Sequence, residues 1–313
     1  AMTESEYRLR DLGDRRVLTV GGQDHITGYS ERVIRMLIER KGARRAALYF
    51  PFKETRGRHF LPPLFASLRP RGARGLGVLE IGCSFGHITE YLDEQPEVAR
   101  IATFDTDADF VGMLRAKIED GGLKKWPDAP RLGNDETRRL PYDEGAFDLV
   151  LAIGVVEHLP RRNRRAQVDE YYRVLAPGGH IAVLDTPNRA FPLETHSVGL
   201  PFVQWLPAPL AYRYARLGRP VRYRGVSYAD FIADGTGWRN ARYRDCLPSA
   251  GAAGLEDVTE EAGYGWRFFR ATARSRTRRA LLPVLGVACR ALAAAGRSPS
   301  LALPYFNLVF RKR

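Results

Sequence analysis

Short apolar runs separated by longer amphipathic stretches mark the middle of the chain. The runs cover residues 78–81, 101–104, 147–153 and 181–184, and they consist mainly of Val, Ile, Leu, Phe and Ala. A strand that is apolar at nearly every position is buried on both faces, as in a parallel sheet covered by helices. The pattern therefore predicts an α/β fold for the middle of the chain.

The flanking segments follow other patterns. Residues 1–25 are polar and predict an arm without a signal peptide, and residues 28–41 predict a helix with Val33, Ile34, Leu37 and Ile38 on one face. Residues 189–265 are rich in proline and aromatic residues, which favours either an acceptor lid or an extra helical layer with its own core. The segments 255–260 and 305–311 predict two late strands, the last of them antiparallel. The predicted segments are 1–72, 73–188, 189–254 and 255–313.

Charge and cysteine content narrow the function classes. The chain has 313 residues and a formal net charge of +13, but residues 1–72 contribute +7 and residues 267–313 contribute +11. The remaining stretch carries −5, so the basic character lies at the two ends and nucleic acid is disfavoured as a partner. The basic C-terminal segment leaves peripheral membrane contact open. Three widely spaced cysteines indicate a reducing, cytoplasmic setting, and nothing indicates an oligomeric state.

A glycine turn follows the first apolar run. Glu80 ends the run, and Gly82, Ser84 and Gly86 form the turn before a predicted helix. Glycines let the backbone approach a bound molecule closely, because they have no Cβ. The acid sets the sign of the partner, since Glu80 would repel a pyrophosphate and attract a sulfonium or amino group. The spacing also differs from the three-glycine dinucleotide fingerprint.

A second acid follows the next apolar run. Asp105 lies about 20 residues beyond the turn, where doubly wound folds place a carboxylate for ribose hydroxyls. The alternative is that Asp105 or Asp107 caps the following helix. Asp107 fits the cap better, and Asp105 fits the ligand role better.

The order of these motifs resembles the class I S-adenosylmethionine (SAM) dependent methyltransferases of the small-molecule type. Residues 172–184 include the similar run Arg173-Val174-Leu175-Ala176-Pro177-Gly178-Gly179. The resemblance implies a Rossmann-like, doubly wound sheet of seven strands with an antiparallel last strand, an N-terminal helical cap and an inserted lid. It also implies an enzyme that uses SAM. Its cofactor-binding residues would be Glu80, Gly82, Ser84, Gly86, Asp105, Thr106, Asp135 or Glu136 near the adenine, and Ile153. Ser84 stands where the family most often has another glycine.

Candidate catalytic residues follow the strand at 147–153. Glu157 and His158 lie at its carboxyl end, and His196 lies in the predicted lid. His158 is the first candidate for a general base that takes a proton from an acceptor hydroxyl, and His196 is the second. Glu157, His158, Glu194 and His196 leave a divalent metal open as a less favoured cofactor. The predicted reaction is O-methylation of a small molecule, such as a secondary metabolite, a sugar or a lipid-linked acceptor. The alternatives are an RNA ribose methyltransferase and a non-catalytic SAM-binding protein.

Overall fold

The protein folds into two compact units, residues Ala1–Gly133 and Asn134–Arg313, in a computed structural model. The structure describes residues 7–125, 138–218, 223, 225–251 and 253–313. The predicted division into four segments stays a prediction beside these two units.

The first unit begins with a three-stranded antiparallel sheet in place of the predicted polar arm. Its strands are β1 (Tyr7–Asp11), β2 (Arg16–Val20) and β3 (Gln23–Thr27), in the order β1-β2-β3. Gly21 and Gly22, with φ of 57° and 79°, form the two-residue turn between β2 and β3. Such a turn needs positive φ at both positions, and this requirement explains the glycine pair.

The rest of the first unit is α/β. Its helices are α1 (Glu31–Lys41), α2 (Ala43–Tyr49), α3 (Arg58–Phe60), α4 (Pro62–Leu68), α5 (His87–Asp93) and α6 (Ala108–Glu119). Its strands β4 (Leu76–Ile81) and β5 (Val98–Phe104) pair in parallel, with Glu80 opposite Thr103. The Ser30 side chain caps α1 by accepting a hydrogen bond from the Val33 amide. On the predicted face, Val33, Ile34 and Leu37 are buried and Ile38 is partly buried.

The second unit contains four strands in the order β6-β7-β9-β8. They are β6 (Phe147–Ile153), β7 (Leu175–Pro187), β8 (Leu255–Asp257) and β9 (Tyr305–Lys312). β6 and β7 are parallel, while β9 is antiparallel to both β7 and β8. The late strands therefore lie within the segments 255–260 and 305–312, where two strands were predicted at 255–260 and 305–311.

Along the chain, helices lie between these four strands. They are α7 (Arg164–Arg173), α8 (Ala208–Gly218), α9 (Tyr228–Ile232), α10 (Trp266–Thr272) and α11 (Arg276–Ala294). Between β7 and β8, buried Val198, Val203, Phe231 and Trp238 belong to a separate apolar cluster. The inserted segment thus has its own core, as the second interpretation of this segment proposed. Among the described residues, no helix is long and apolar enough to cross a membrane.

The α/β prediction is confirmed in both units, because parallel strands alternate with helices in each. The strand count of seven is not confirmed. Apart from the N-terminal antiparallel sheet, the described residues include two strands in the first unit and four in the second.

Candidate functional site

Three residues in left-handed conformation shape the turn between β4 and α5. Gly82, Ser84 and Gly86 have φ of 75°, 48° and 82°. A non-glycine residue pays about 1–2 kcal/mol in this region, so Ser84 is the strained member of the three. The positive φ of Ser84 is the physical reason why glycine suits this position of the turn. A Cβ on Gly86 would also lie 2.7 Å from Leu114 Cδ1, which closes the turn against α6.

Glu80 lies buried at the end of β4, beneath this turn. Its Oε2 accepts a hydrogen bond of 2.5 Å from the Thr89 hydroxyl in α5. Burial raises the pKa of Glu80 to about 8, although the bond from Thr89 opposes this shift. A cationic ligand would favour the ionised carboxylate, so this acid suits a sulfonium or an amino group.

Asp105 joins the turn to the loop after β5. One carboxylate oxygen accepts from the Ser84 amide at 2.8 Å and the other from the Asp107 amide at 2.9 Å. Thr106, between them, is exposed. Asp107 caps α6 by accepting from the Asp109 amide, as predicted. Each Asp105 oxygen has a second lone pair for a ligand hydroxyl, so its ligand role remains compatible with these bonds.

Lys117, which the sequence reasoning missed, supports the turn from below. Its buried Nζ donates to the Phe85 carbonyl at 2.7 Å and pairs with Glu90 at 3.0 Å. Burial lowers the pKa of Lys117 to about 8, against the attraction of Glu90. A lysine in the last turn of a helix carries no signal of this contact in the sequence, because the contact depends on how α6 packs on the turn.

Two further cofactor predictions have different outcomes. Asp135 and Glu136 lie outside the described residues. Ile153 ends β6 in the second unit and is partly buried. The roles of Ile153 and of the turn residues in binding the cofactor stay predictions.

The second unit brings all three predicted catalytic residues together. The two imidazole Nε2 atoms of His158 and His196 lie 3.2 Å apart. Glu157 Oε1 lies 3.8 Å from Nε2 of His158 and 3.9 Å from Nε2 of His196. The Glu157 side chain is fully buried, whereas 39% of the His158 side chain and 28% of the His196 side chain are exposed. The cluster can therefore meet a ligand through its histidines.

A glycine-rich loop after α9 fixes the ring of His158. Its Nδ1 lies 2.7 Å from the Gly235 carbonyl oxygen, and a carbonyl can only accept, so Nδ1 carries the hydrogen. In the neutral ring, Nε2 then has a lone pair directed at the cluster. A Cβ on Gly237 would lie 2.9 Å from His158 Cε1, which explains the glycine at this point of contact.

Glu194 holds the loop that contains His196. Its carboxylate is buried and accepts backbone hydrogen bonds from His196, Ser197, Val198 and Gly199 at 2.6–3.0 Å. The prediction that Glu194 could join a metal site is wrong for this arrangement, because both oxygens serve the loop backbone. Glu194 positions His196 instead.

Glu157, His158 and His196 are nevertheless placed to hold a metal ion. In the plane of Oε1 and the two Nε2 atoms, the equidistant point lies about 2.1 Å from each atom, close to the usual Zn–N distance. Metal-binding histidines commonly donate their other ring N–H to a carbonyl, as His158 does to Gly235. The same three side chains therefore suit either proton transfer or metal binding.

Comparison with known proteins places the central segment in a family. Residues 79–183 match a family model described as "Methyltransferase domain". A demethylmenaquinone methyltransferase of Thermus thermophilus is 30% identical over 35% of this chain and 47% of its own length. Methyltransferase GfsG of Streptomyces halstedii is 28% identical over 36% and 38%, and a probable tRNA methyltransferase 9B of Bos taurus is 33% identical over 26% and 18%.

These matches confirm the resemblance inferred from the order of the motifs, and they identify SAM as the cofactor of the domain. The chain spans less than half the length of each of these three relatives. Two of their names refer to different acceptors, demethylmenaquinone and tRNA, so they do not assign an acceptor to this chain.

Proposed function

Because residues 79–183 form a class I SAM-dependent methyltransferase domain, we propose that this protein methylates a hydroxyl group of a small molecule. SAM, when bound, supplies a methyl group on a positively charged sulfur. The donor set of the turn fits such a molecule, with a buried carboxyl at Glu80 and a carboxylate at Asp105 for two hydroxyls. The acceptor classes are a secondary metabolite, a sugar or a lipid-linked compound.

His158 is the proposed general base. The observation that carries this proposal is the Nδ1 contact with the Gly235 carbonyl, since it leaves a lone pair on Nε2. Bound SAM would supply the methyl group, and Nε2 of His158 would take the proton of the acceptor hydroxyl. Buried Glu157, whose Oε1 lies 3.8 Å from Nε2 of His158 and 3.9 Å from Nε2 of His196, stabilises the positive charge that the histidine pair gains.

The test is the release of S-adenosylhomocysteine from SAM with candidate hydroxyl acceptors. His158→Gln should lower kcat by about 10²–10⁴-fold, the usual contribution of general acid–base catalysis, and leave the SAM affinity unchanged. His25→Gln is the matched control, because His25 lies in β3 of the other unit. Equal turnover by the two variants would refute the role of His158.

A metal-dependent reaction at the same cluster is the second mechanism, favoured by the equidistant point about 2.1 Å from its three ligand atoms. Treatment with a chelator distinguishes the two. Loss of activity that is restored by Zn²⁺ or Mg²⁺ supports the metal, and full activity in the chelator supports the base. Turnover with RNA alone would favour the alternative of a ribose methyltransferase.

A further inference from the structure

Seven arginines line one cavity of about 230 Å³ in the second unit. We call it the arginine pocket, and Arg161, Arg189, Arg239 and Arg242 are among its members. The contributing residues come from the loop before α7, the first residues of α7, the end of β7 and the segment after Trp238. The fold thus gathers charges that are distant in the sequence.

Few acidic residues balance the positive charge of this pocket. Asp245 is the one acidic residue in the described lining. Its Oδ2 accepts from Arg164 Nη1 at 3.2 Å and from the Arg242 amide at 2.9 Å. Arg164 also donates to the carbonyls of Glu157 and Leu159, so this pair belongs to the framework of the pocket. The remaining positive charge exceeds what the lining carboxylate balances.

The neighbouring positive charges affect the pKa of Arg189. It is half-buried, and burial together with the charges of Arg239, Arg242 and Arg161 lowers its pKa to about 10. Arg164 and Arg165 begin α7, so the positive end of that helix dipole adds to the field in the pocket. A bound anion would offset this repulsion, and arginine forks match phosphate oxygens in geometry.

Two neighbouring cavities flank the arginine pocket. One, of about 200 Å³, is lined by Glu157 and by the glycine-rich loop that holds His158, and it shares Arg161, Arg164 and Arg239 with the pocket. The other, of about 760 Å³, shares Arg189, Arg242 and Arg244 and has a mostly apolar lining. The pocket therefore lies between the candidate catalytic cluster and an apolar cavity.

The apolar cavity offers aromatic faces. Trp205 is 48% exposed there, and its indole N–H donates to the Arg189 carbonyl at 2.5 Å, which fixes the ring. Tyr243 and Leu301 complete this wall. Such a surface suits a hydrocarbon chain or a flat aromatic base.

We infer that the arginine pocket binds a phosphate or diphosphate group, and that the acceptor joins this group to an apolar or aromatic moiety on the side away from His158. The phosphate site stands on the pocket alone, while its assignment to the acceptor rests on the proposed function. A nucleoside diphosphate sugar and a lipid diphosphate share this chemistry.

Calorimetric titration with inorganic diphosphate, without SAM, tests the phosphate site. We expect binding that weakens at least about tenfold in the Arg189→Gln/Arg244→Gln double variant, because the anion loses the charge-assisted hydrogen bonds of two guanidinium groups. Arg189→Lys keeps the charge and should retain more affinity than Arg189→Gln. Arg213→Gln removes one positive charge, as Arg189→Gln does, but at an exposed position in α8. This variant should bind diphosphate as the wild type does.

Two further titrations separate the sources of the phosphate. Uridine diphosphate glucose or farnesyl diphosphate should bind at least about tenfold more tightly than diphosphate itself, and the preferred one identifies the second moiety. Absence of diphosphate binding, or equal affinity in Arg213→Gln and the double variant, overturns the phosphate site. Equal affinity for all three probes overturns the role of the apolar cavity. SAM binding, measured separately, shows whether the methyltransferase proposal itself fails.

Discussion

Gly86 illustrates how one missing side chain sets the shape of the cofactor turn. Its φ of 82° and the 2.7 Å between a built Cβ and Leu114 Cδ1 both disfavour a Cβ, whereas Gly72, with φ of 75°, has nothing within 4 Å of a built Cβ. The two glycines therefore share the backbone requirement and differ in the space around them. Comparing them separates strain from packing.

Gly86→Ala should destabilise the protein by about 2–5 kcal/mol, because about 1–2 kcal/mol of backbone strain adds to about 1–3 kcal/mol of overpacking against Leu114. Gly72→Ala is the control and should cost only the first amount. Urea unfolding monitored by circular dichroism gives both values. Equal costs would show that α6 yields to the new methyl group without penalty.

Glu80 links stability to pH. Its pKa is raised from 4.5 to about 8, so between these values the folded state holds a proton that the unfolded chain has lost. Stability then falls as pH rises through this window, by about 1.4 kcal/mol per pH unit at most. Below about pH 6.5 the lowered pKa of His87 gives a slope of the opposite sign, so unfolding free energies measured from pH 6.5 to pH 8 should fall in the wild type and fall less in Glu80→Gln. Saturating SAM should also flatten the wild-type slope, and parallel profiles for wild type and variant would contradict the assignment.

At the scale of elements, the loop after β7 depends on a single carboxylate. Four consecutive amides, from His196 to Gly199, donate to Glu194. A buried carboxylate that accepts hydrogen bonds from several backbone amides satisfies the N–H groups of this loop, as strand pairing does in a sheet.

Glu194→Gln should destabilise the protein by about 1–3 kcal/mol, because its amide group leaves at least one pair of backbone N–H groups without an acceptor. Hydrogen exchange of the amides at 196–199 should accelerate, and turnover should fall as His196 loses its position. Glu39→Gln, an exposed change in α1, serves as the control. Unchanged exchange at 196–199 would argue that other contacts hold the loop.

The predicted elements divide according to burial. β4, β5, β6 and β7 were predictable because nearly every position is apolar. The N-terminal sheet was not recognised, because β1 and β3 are mostly exposed and their composition is polar. The signal that was available is the pair Gly21-Gly22 between two runs of strand-forming residues, which is typical of a two-residue hairpin.

The candidate site divides in a similar way. Glu157 and His158 were found because they directly follow a buried strand, and His196 was found as a histidine in an aromatic insertion. Gly237 and Lys117 act through contacts between segments far apart in the chain. Spacing along the sequence does not encode such contacts, so only the fold reveals these two residues.

At the scale of the whole molecule, the net charge of each segment conceals the arginine pocket. Residues 73–266 carry −5, and the arginine pocket lies entirely within them. A segment can be acidic overall and still assemble a strongly positive cavity, because folding selects which charges meet. The two basic ends remain the basis of the untested prediction of membrane contact.

Cofactor binding should stabilise the whole protein by mass action. SAM at 100 times its Kd should add about 2.7 kcal/mol to the unfolding free energy, measured as a rise in Tm. Gly82→Arg should abolish the rise, since its side chain fills the turn. Gly72→Arg introduces the same residue at the same φ of 75° away from the turn and should keep the rise. Loss of the rise in both variants would place the effect outside the turn.

The three cysteines have a practical consequence as internal reporters of local opening. Cys83 lies in the turn of the first unit, and Cys246 and Cys289 lie in the second; all three are free and buried. Burial raises the pKa of each thiol, so the folded protein presents little reactive thiolate. Alkylation followed by mass spectrometry therefore times the opening of each unit in the unmutated chain, and a ligand that closes the turn should slow the labelling of Cys83 alone.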